Sequence, residues 1–289
     1  MSSYDEYVAA QAAGGVPLQS TLLFPTQLDW ARALIVWASH HPERFVLLRV
    51  HPREFPNKRD GRKSEHAAAL ERELAVLPDN VRVNWPADNL SIYDVAENAD
   101  LFLNAWSTAG REMALLGLPV VTYCPTLLQY PAELNYVGTT QATYFEAIET
   151  ALRDGWSFER TRRVYRWCVL ELVRGIVNIS DGFDFSDEPG RSVLQRAKNL
   201  VLSIPAVRQR YDLWRRPRTL RAQRAIAELI LSGRETLLDV VPDPAPVELA
   251  TETAALRTEV RRLIDALYGR ATVPARPGTL RQRLVEAVS

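Results

Sequence analysis

The sequence has few of the residues and segments that mark specialised protein classes. Its two cysteines, Cys124 and Cys168, are far apart and lie in apolar stretches, so they indicate neither a disulfide framework nor a metal site. We expect both to be buried free thiols in a reducing compartment. The sequence contains no apolar run that could span a bilayer, and it does not start like a signal peptide. These absences predict a cytoplasmic protein, with a peripheral position at the inner face of the membrane as the alternative.

Neither sign of charge is in excess. The 35 basic residues balance 35 acidic residues, so no global electrostatic attraction to nucleic acid or to an acidic membrane is expected. The sequence also lacks a GxGxxG motif, which argues against the dinucleotide-binding version of an α/β fold. A chain of 289 residues with 47% hydrophobic residues is nevertheless large enough for one large or two small globular domains.

Apolar runs alternate with helical patterns through the first half of the chain. The predicted strands are residues 21–24, 45–50, 81–85, 100–104 and 119–123. The predicted helices are residues 28–39, 64–77, 91–98, 110–116 and 144–153, with Ser64 as an N-cap and a capping box of Ser91 and Asp94. Strands separated by helices predict a parallel sheet with right-handed crossovers. The fold class is therefore α/β, with one Rossmann-like parallel-sheet domain over residues 21–160.

The remaining segments carry little strand signal. Residues 1–20 are polar and rich in Ala and Gly, which predicts a flexible N-terminus. Residues 161–240 read as an α-helical extension that includes an Asp-rich loop at 178–190, whose spacing does not fit an EF-hand. Residues 241–289 begin with a Pro-rich linker and continue with C-terminal helices. Leucines at near-heptad spacing in the first of these helices indicate docking or oligomerisation.

The most informative segment spans residues 101–121, where an apolar strand leads into a Ser-Thr-Ala-Gly turn and then a helix. The first amides of a helix lack internal partners and carry partial positive charge, so such a turn is a natural cradle for phosphate. Ser107 and Thr108 place hydroxyls at the turn, and Glu112, in the first turn of the helix, can accept hydrogen bonds from a sugar diol. Alternatively, Ser107 only caps the helix and Glu112 only interacts favourably with its dipole.

A second motif ends the strand at residues 45–50. Pro52 cannot extend a central strand, so the strand stops and places His51 at the carboxyl edge of the sheet, where ligands of open α/β sheets bind. An imidazole there can donate a hydrogen bond to a phosphate oxygen, although a lone histidine is more often structural. The other histidines are expected at the surface: His40, His41 and His66.

Together, the two motifs resemble the C-terminal, donor-nucleotide domain of GT-B bacterial capsule-polysaccharide glycosyltransferases. The most similar members are the CMP-sugar-using Kdo transferases and the sialyl- and polysialyltransferases, and the CDP-glycerol glycerophosphotransferases share both motifs. The resemblance covers roughly residues 20–152. It implies that His51, Ser107 and Thr108 contact the donor phosphate, and that Glu112 or the turn backbone, which includes Gly110, contacts the ribose. A shorter match adds Gln27 to the donor-site residues.

The resemblance also implies the partners of the site. The donor is expected to be a nucleotide sugar, most simply of the CMP type, and the acceptor a polysaccharide or a lipid-linked acceptor of capsule or surface-polysaccharide biosynthesis. No cofactor or metal is expected, because neither a DxD triplet nor a ligand cluster lies near the motifs. CDP-glycerol-type polyol-phosphate transfer is the alternative enzymatic function.

The sequence alone does not identify a catalytic residue. In related inverting enzymes the general base comes from an N-terminal acceptor domain, whereas only about twenty residues precede residue 21. The sequence therefore predicts one of three arrangements. The acceptor half is a separate chain or another copy in a homo-oligomer, the reading frame is truncated, or the protein is a non-catalytic, partner-dependent subunit of a polysaccharide assembly complex.

Overall fold

The computed structural model describes residues 1–14, 22–56, 61–126, 130–169, 171, 200–201, 203–208, 210, 231–232, 246–269 and 276–289. The chain forms two compact units: Met1–Tyr165 together with Thr251–Ser289, and Arg166–Ala250. The predicted Asp-rich loop at 178–190 lies outside the described residues, and so do most residues of the predicted α-helical extension after residue 171.

Strands and helices alternate, as predicted. The strands are β1 (Val46–Arg49), β2 (Val81–Asn84), β3 (Phe102–Asn104), β4 (Val120–Thr122) and β5 (Tyr136–Val137). The α-helices are α1 (Tyr4–Ala12), α2 (Gln27–Ser39), α3 (Glu65–Glu73), α4 (Ile92–Ala96), α5 (Ala109–Leu115), α6 (Gln141–Asp154), α7 (Phe158–Val169), α8 (Pro246–Tyr268) and α9 (Leu280–Val288). The mixed α/β class predicted from the sequence is therefore confirmed.

The strands form two parallel sheets instead of the single predicted sheet. β1 pairs with β2, starting from Val46 opposite Val81, and β3 pairs with β4, starting from Phe102 opposite Val120. β5, which the sequence did not predict, extends the second sheet beyond β4. As a result, β1 and β3 are both edge strands, and both line one cavity.

The predicted first strand at residues 21–24 is wrong for the residues that the structure describes. Residues 22–26 are a series of bends. Phe24 is buried edge-on against Tyr123 and Tyr144, with ring centroids 5.0 and 5.4 Å away. The Oγ1 of Thr26 accepts the N–H of Asp29 at 3.1 Å, which starts α2 immediately afterwards. Aromatic packing and the helix cap thus fix this short segment in a bent conformation.

Local capping explains several of the other helix starts. Ser64 accepts the N–H of Ala67 at 2.9 Å, which confirms it as the N-cap of α3. The predicted capping box is also present, because the carboxylate of Asp94 accepts the N–H of Ser91 at 3.0 Å. Short polar side chains at these positions satisfy amides that would otherwise lack partners.

The N-terminus differs from the flexible segment that was expected. Residues 4–12 form α1, and Tyr7 is buried against Trp106, with the two ring centroids 3.9 Å apart. The N–H of Tyr4 also donates to the Oε1 of Glu54 at 2.8 Å. These contacts order residues 1–12 against the loops that follow β1 and β3.

The C-terminal helices of the first unit pack on its α/β core. The N–H of Leu280 donates to the carbonyl of Glu97 at 2.9 Å, and the Tyr268 hydroxyl donates to the Glu97 carboxylate at 2.8 Å. The nearly buried guanidinium of Arg162 lies 3.2 Å from the carboxylate of Glu252. The described part of the chain contains no helix that is both long and apolar enough to cross a membrane.

Candidate functional site

A cavity of about 770 Å³ lies between the two sheets. Helix α2 contributes Trp30 and Leu34 to its wall, and the facing edge strands β1 and β3 supply much of the remainder. The residues that follow both strands line the cavity as well, and this carboxyl edge of the strands is where ligands bind in α/β folds. Four of the predicted site residues lie in its lining: His51, Ser107, Thr108 and Glu112.

His51 is positioned by the turn that ends β1. It is the N-cap of a short 3₁₀ helix, Pro52–Glu54, and its Nδ1 accepts the N–H of Arg53 at 3.3 Å. Burial, followed by the interaction with the nearby Met1 amino group, lowers the pKa of His51 below its usual value. The neutral ring therefore carries its proton on Nε2, which makes this atom a hydrogen-bond donor.

The turn that carries Ser107 is held by the last residue of β3. The Oδ1 of Asn104 accepts the N–H of Ser107 at 3.1 Å, and its Nδ2 donates to the Ser107 carbonyl at 2.9 Å. The Ser107 hydroxyl oxygen accepts the N–H of Ala109 at 3.2 Å. Ser107 therefore also bonds a backbone amide at the start of the helix, as in the alternative capping role. Thr108 makes no such cap and is exposed.

Gly110 lies behind the turn and does not line the cavity. A Cβ at this position would be 2.3 Å from the amide nitrogen of Asn104 and 2.3 Å from the hydroxyl oxygen of Tyr130. The Tyr130 hydroxyl itself donates to the Oδ1 of Asn135 at 3.1 Å. The missing side chain of Gly110 therefore lets Asn104 and Tyr130 approach the helix, which gives Gly110 a role in shaping the turn.

Glu112 extends from the first turn of α5 into the lining. Its Oε2 accepts the hydroxyl of Tyr93, in α4, at 2.9 Å. Burial, and then the hydrogen bond to Glu112, raise the pKa of Tyr93, so the phenol stays protonated and continues to donate. The other carboxylate oxygen of Glu112 carries no described hydrogen bond to protein and can accept from a ligand.

Gln27 lies outside the cavity lining. Its side chain is fully buried, its Oε1 accepts the N–H of Ser2 at 2.8 Å, and its Nε2 donates to the Ser2 carbonyl at 2.9 Å. Both ends of the amide are thus used to hold residue 2 in place. This arrangement supports a structural role for Gln27.

Sequence reasoning missed several residues of the site. Arg49 and Asp94 line the cavity, whereas Asn104 and Tyr93 position Ser107 and Glu112. The position of Asn104, directly before a Ser-Thr turn, is a usable sequence signal because Asn side chains often bond to backbone groups of nearby turns. Tyr93 gives no such signal, since its partner is nineteen residues away and meets it only in the folded protein.

Among the described residues, no group of three or more His, Cys, Asp or Glu side chains is arranged to hold a metal ion. Comparisons of the chain with protein-family models, with curated proteins and with solved structures give no match.

Proposed function

We propose that the first unit binds a nucleotide-activated sugar, of the CMP type, as the donor-binding domain of a GT-B-like glycosyltransferase in surface-polysaccharide biosynthesis. The observation that carries this proposal is the meeting of two sequence motifs in one cavity. His51 follows β1, whereas Ser107, Thr108 and Glu112 follow β3. Both motifs carry hydrogen-bonding groups suited to a nucleotide, and they line the same space.

The groups after the two strands match the polar parts of a nucleotide. The Nε2–H of His51 and the hydroxyls of Ser107 and Thr108 are neutral donors that suit phosphate oxygens. In a transfer reaction, the same donors would stabilise the negative charge that develops on the leaving phosphate. Glu112 would accept hydrogen bonds from the ribose diol through its second oxygen, while Tyr93 fixes its first.

The acceptor and the general base are not assigned to this chain. Under the proposal, an acceptor half provided by another polypeptide, or by another copy of this chain, binds the polysaccharide or lipid-linked acceptor and supplies the base. The described unit would then contribute donor binding and leaving-group stabilisation. Nucleotide binding is therefore the activity that this chain should show by itself.

Calorimetric titration with CMP, CDP, UDP and GDP tests this proposal. We expect cytidine-selective binding by the parent protein and a loss of affinity of about tenfold in His51→Ala and in Ser107→Ala, because each removes a phosphate contact. His40→Ala and Ser39→Ala are matched controls, since these residues lie at the end of α2 and outside the cavity lining. Absence of nucleotide binding, or equal binding by all variants, would contradict the proposal.

A further inference from the structure

The charged side chains that line the cavity fall into two groups. Toward the start of the strands, Arg44 pairs with Glu149 at 3.1 Å and with Glu43, which also lines the cavity, at 3.6 Å. Asp100, which precedes β3, pairs with Arg283 at 3.2 Å. The charges at this end are therefore compensated within the protein. The end where the strands finish carries a second group: Arg49, Asp94 and Glu112, beside the neutral His51.

Arg49 is the cation of the second group. Its guanidinium donates to the Oδ1 of Asn84, a neutral amide, and no carboxylate among the described residues lies within ion-pair distance of it. Burial lowers the pKa of Arg49, and the more distant charge of Asp94 offsets this effect only in part. A half-buried cation without a close counter-ion is energetically costly. An anionic ligand in the cavity would supply the missing partner.

The two carboxylates limit how much negative charge a ligand can bring. The Oδ2 of Asp94 accepts the N–H of Ser91 at 3.0 Å, and Glu112 accepts the hydroxyl of Tyr93 at 2.9 Å. Hydrogen bonds thus fix both groups in the wall. At neutral pH this end of the lining carries one positive and two negative side chains, and the Met1 amino group beside Arg49, whose pKa is lowered to about 5, adds no charge. Arg49 would balance the negative charge of one phosphate. A second phosphate would lie near the carboxylates of Asp94 and Glu112 and be repelled by them.

We propose that Arg49 is the charge-selecting residue of the site: its guanidinium pairs with a single phosphodiester, and the lining disfavours donors that carry two phosphates. This inference rests on the proposed function and adds a determinant that the two sequence motifs did not include. Selectivity arises from both sides, because Arg49 attracts the first phosphate and Asp94 repels the second.

Calorimetry with two probes tests the inference. The methyl ester of cytidine 5′-monophosphate carries one negative charge, and CDP-glycerol carries two. We expect the parent to bind the ester more tightly. Arg49→Gln should weaken binding of the ester about tenfold or more, and Arg49→Lys should recover part of the loss because it keeps the charge. Asp94→Asn retains an oxygen that can accept the Ser91 N–H. It should narrow the difference in affinity between the ester and CDP-glycerol, because it removes the charge that repels the second phosphate.

Arg44→Gln is the matched control, since it removes a cavity-lining arginine that already has a carboxylate partner; we expect it to leave both affinities unchanged. Thermal unfolding followed by circular dichroism shows whether each variant is folded. If Arg49→Gln is folded and binds the ester with the affinity of the parent, the role proposed for Arg49 is contradicted, whereas the proposed function is unaffected. If the parent binds no cytidine nucleotide at all, both are wrong.

Discussion

The side-chain amide of Asn104 holds both backbone polar groups of Ser107, with its Oδ1 3.1 Å from the nitrogen and its Nδ2 2.9 Å from the carbonyl oxygen. Because Asn104 is the last residue of β3, this clamp ties the turn directly to the sheet. The position of the Ser107 hydroxyl in the cavity therefore depends on an amide side chain that is itself buried.

Replacing Asn104 should damage both the fold and the site. Asn104→Ala leaves polar groups of the turn without partners, so we expect a loss of about 1–3 kcal/mol in the free energy of unfolding. Urea denaturation measures this loss. Asn104→Asp keeps the acceptor for the Ser107 N–H but removes the donor to its carbonyl, and should have an intermediate effect. Equal stability of Asn104→Ala and the parent would show that the clamp contributes nothing.

The contact between Gly110 and Asn104 predicts a second stability effect. A methyl group at Gly110 would overlap the Asn104 amide and the Tyr130 hydroxyl, so Gly110→Ala should cost about 1–3 kcal/mol. The higher helix propensity of Ala offsets at most about 1 kcal/mol of this cost. Urea denaturation of Gly61→Ala provides the control, because a Cβ there has no neighbour within 4 Å. A stabilised Gly110→Ala protein would contradict the packing described.

The hydrogen bond from Tyr93 to Glu112 predicts how a ribose is recognised. Tyr93→Phe removes the hydrogen bond to one oxygen of the Glu112 carboxylate. The carboxylate is then held less firmly in the orientation that accepts hydrogen bonds from the ribose diol. We expect the dissociation constant for CMP to rise about three- to tenfold, consistent with one hydrogen bond to a charged group that is partly solvated. The 2′-deoxy form of CMP should be affected less. An identical loss for both nucleotides would argue against a contact between Glu112 and the diol.

Burial of His51 predicts a pH dependence of stability. Its pKa in the folded protein lies below the unfolded value of about 6.5, so the unfolded chain takes up a proton first as the pH falls. The contribution of neutral His51 to stability is therefore fully present above that value and is lost progressively below it.

Urea denaturation between pH 8 and about pH 5 checks this dependence through a comparison with His51→Gln. The parent should lose stability more steeply below about pH 6.5 than the variant. The Met1 amino group, whose pKa is lowered to about 5 by burial and by Arg49, is present in both proteins, so its own titration adds to both curves. Parallel curves for the two proteins would contradict the buried, neutral state of His51.

Local sequence patterns predicted most elements of the first unit but not how the strands combine. Apolar runs and capping residues such as Ser64 specify a strand or a helix, and the predicted and observed bounds of the shared elements differ by at most four residues, as at the end of α3, which was predicted at residue 77 and lies at Glu73. The expected single sheet included residues 21–24 as its first strand. Phe24 instead packs on Tyr123 and Tyr144, and this aromatic contact, distant in sequence, overrides the local β preference.

In the site, too, local sequence patterns predicted some residues, whereas others could be identified only in the folded protein. His51 and Ser107 could be predicted because each follows a strand at a clear break in the pattern, and both line one cavity in the structure. Arg49 lies within a predicted strand, and its lack of a carboxylate partner among the described residues becomes visible only once the surrounding side chains are in place. Gln27 and Gly110 were chosen by motif, but their environments in the structure are those of packing residues.

Amide hydrogen exchange with and without CMP shows whether the loops after β1 and β3 form one nucleotide site. We expect slower exchange in the presence of CMP for both residues 51–55 and residues 105–110, with α9 unchanged as an internal reference. Protection of only one of these loops, or of neither while CMP binds elsewhere, would contradict a single site formed by both loops.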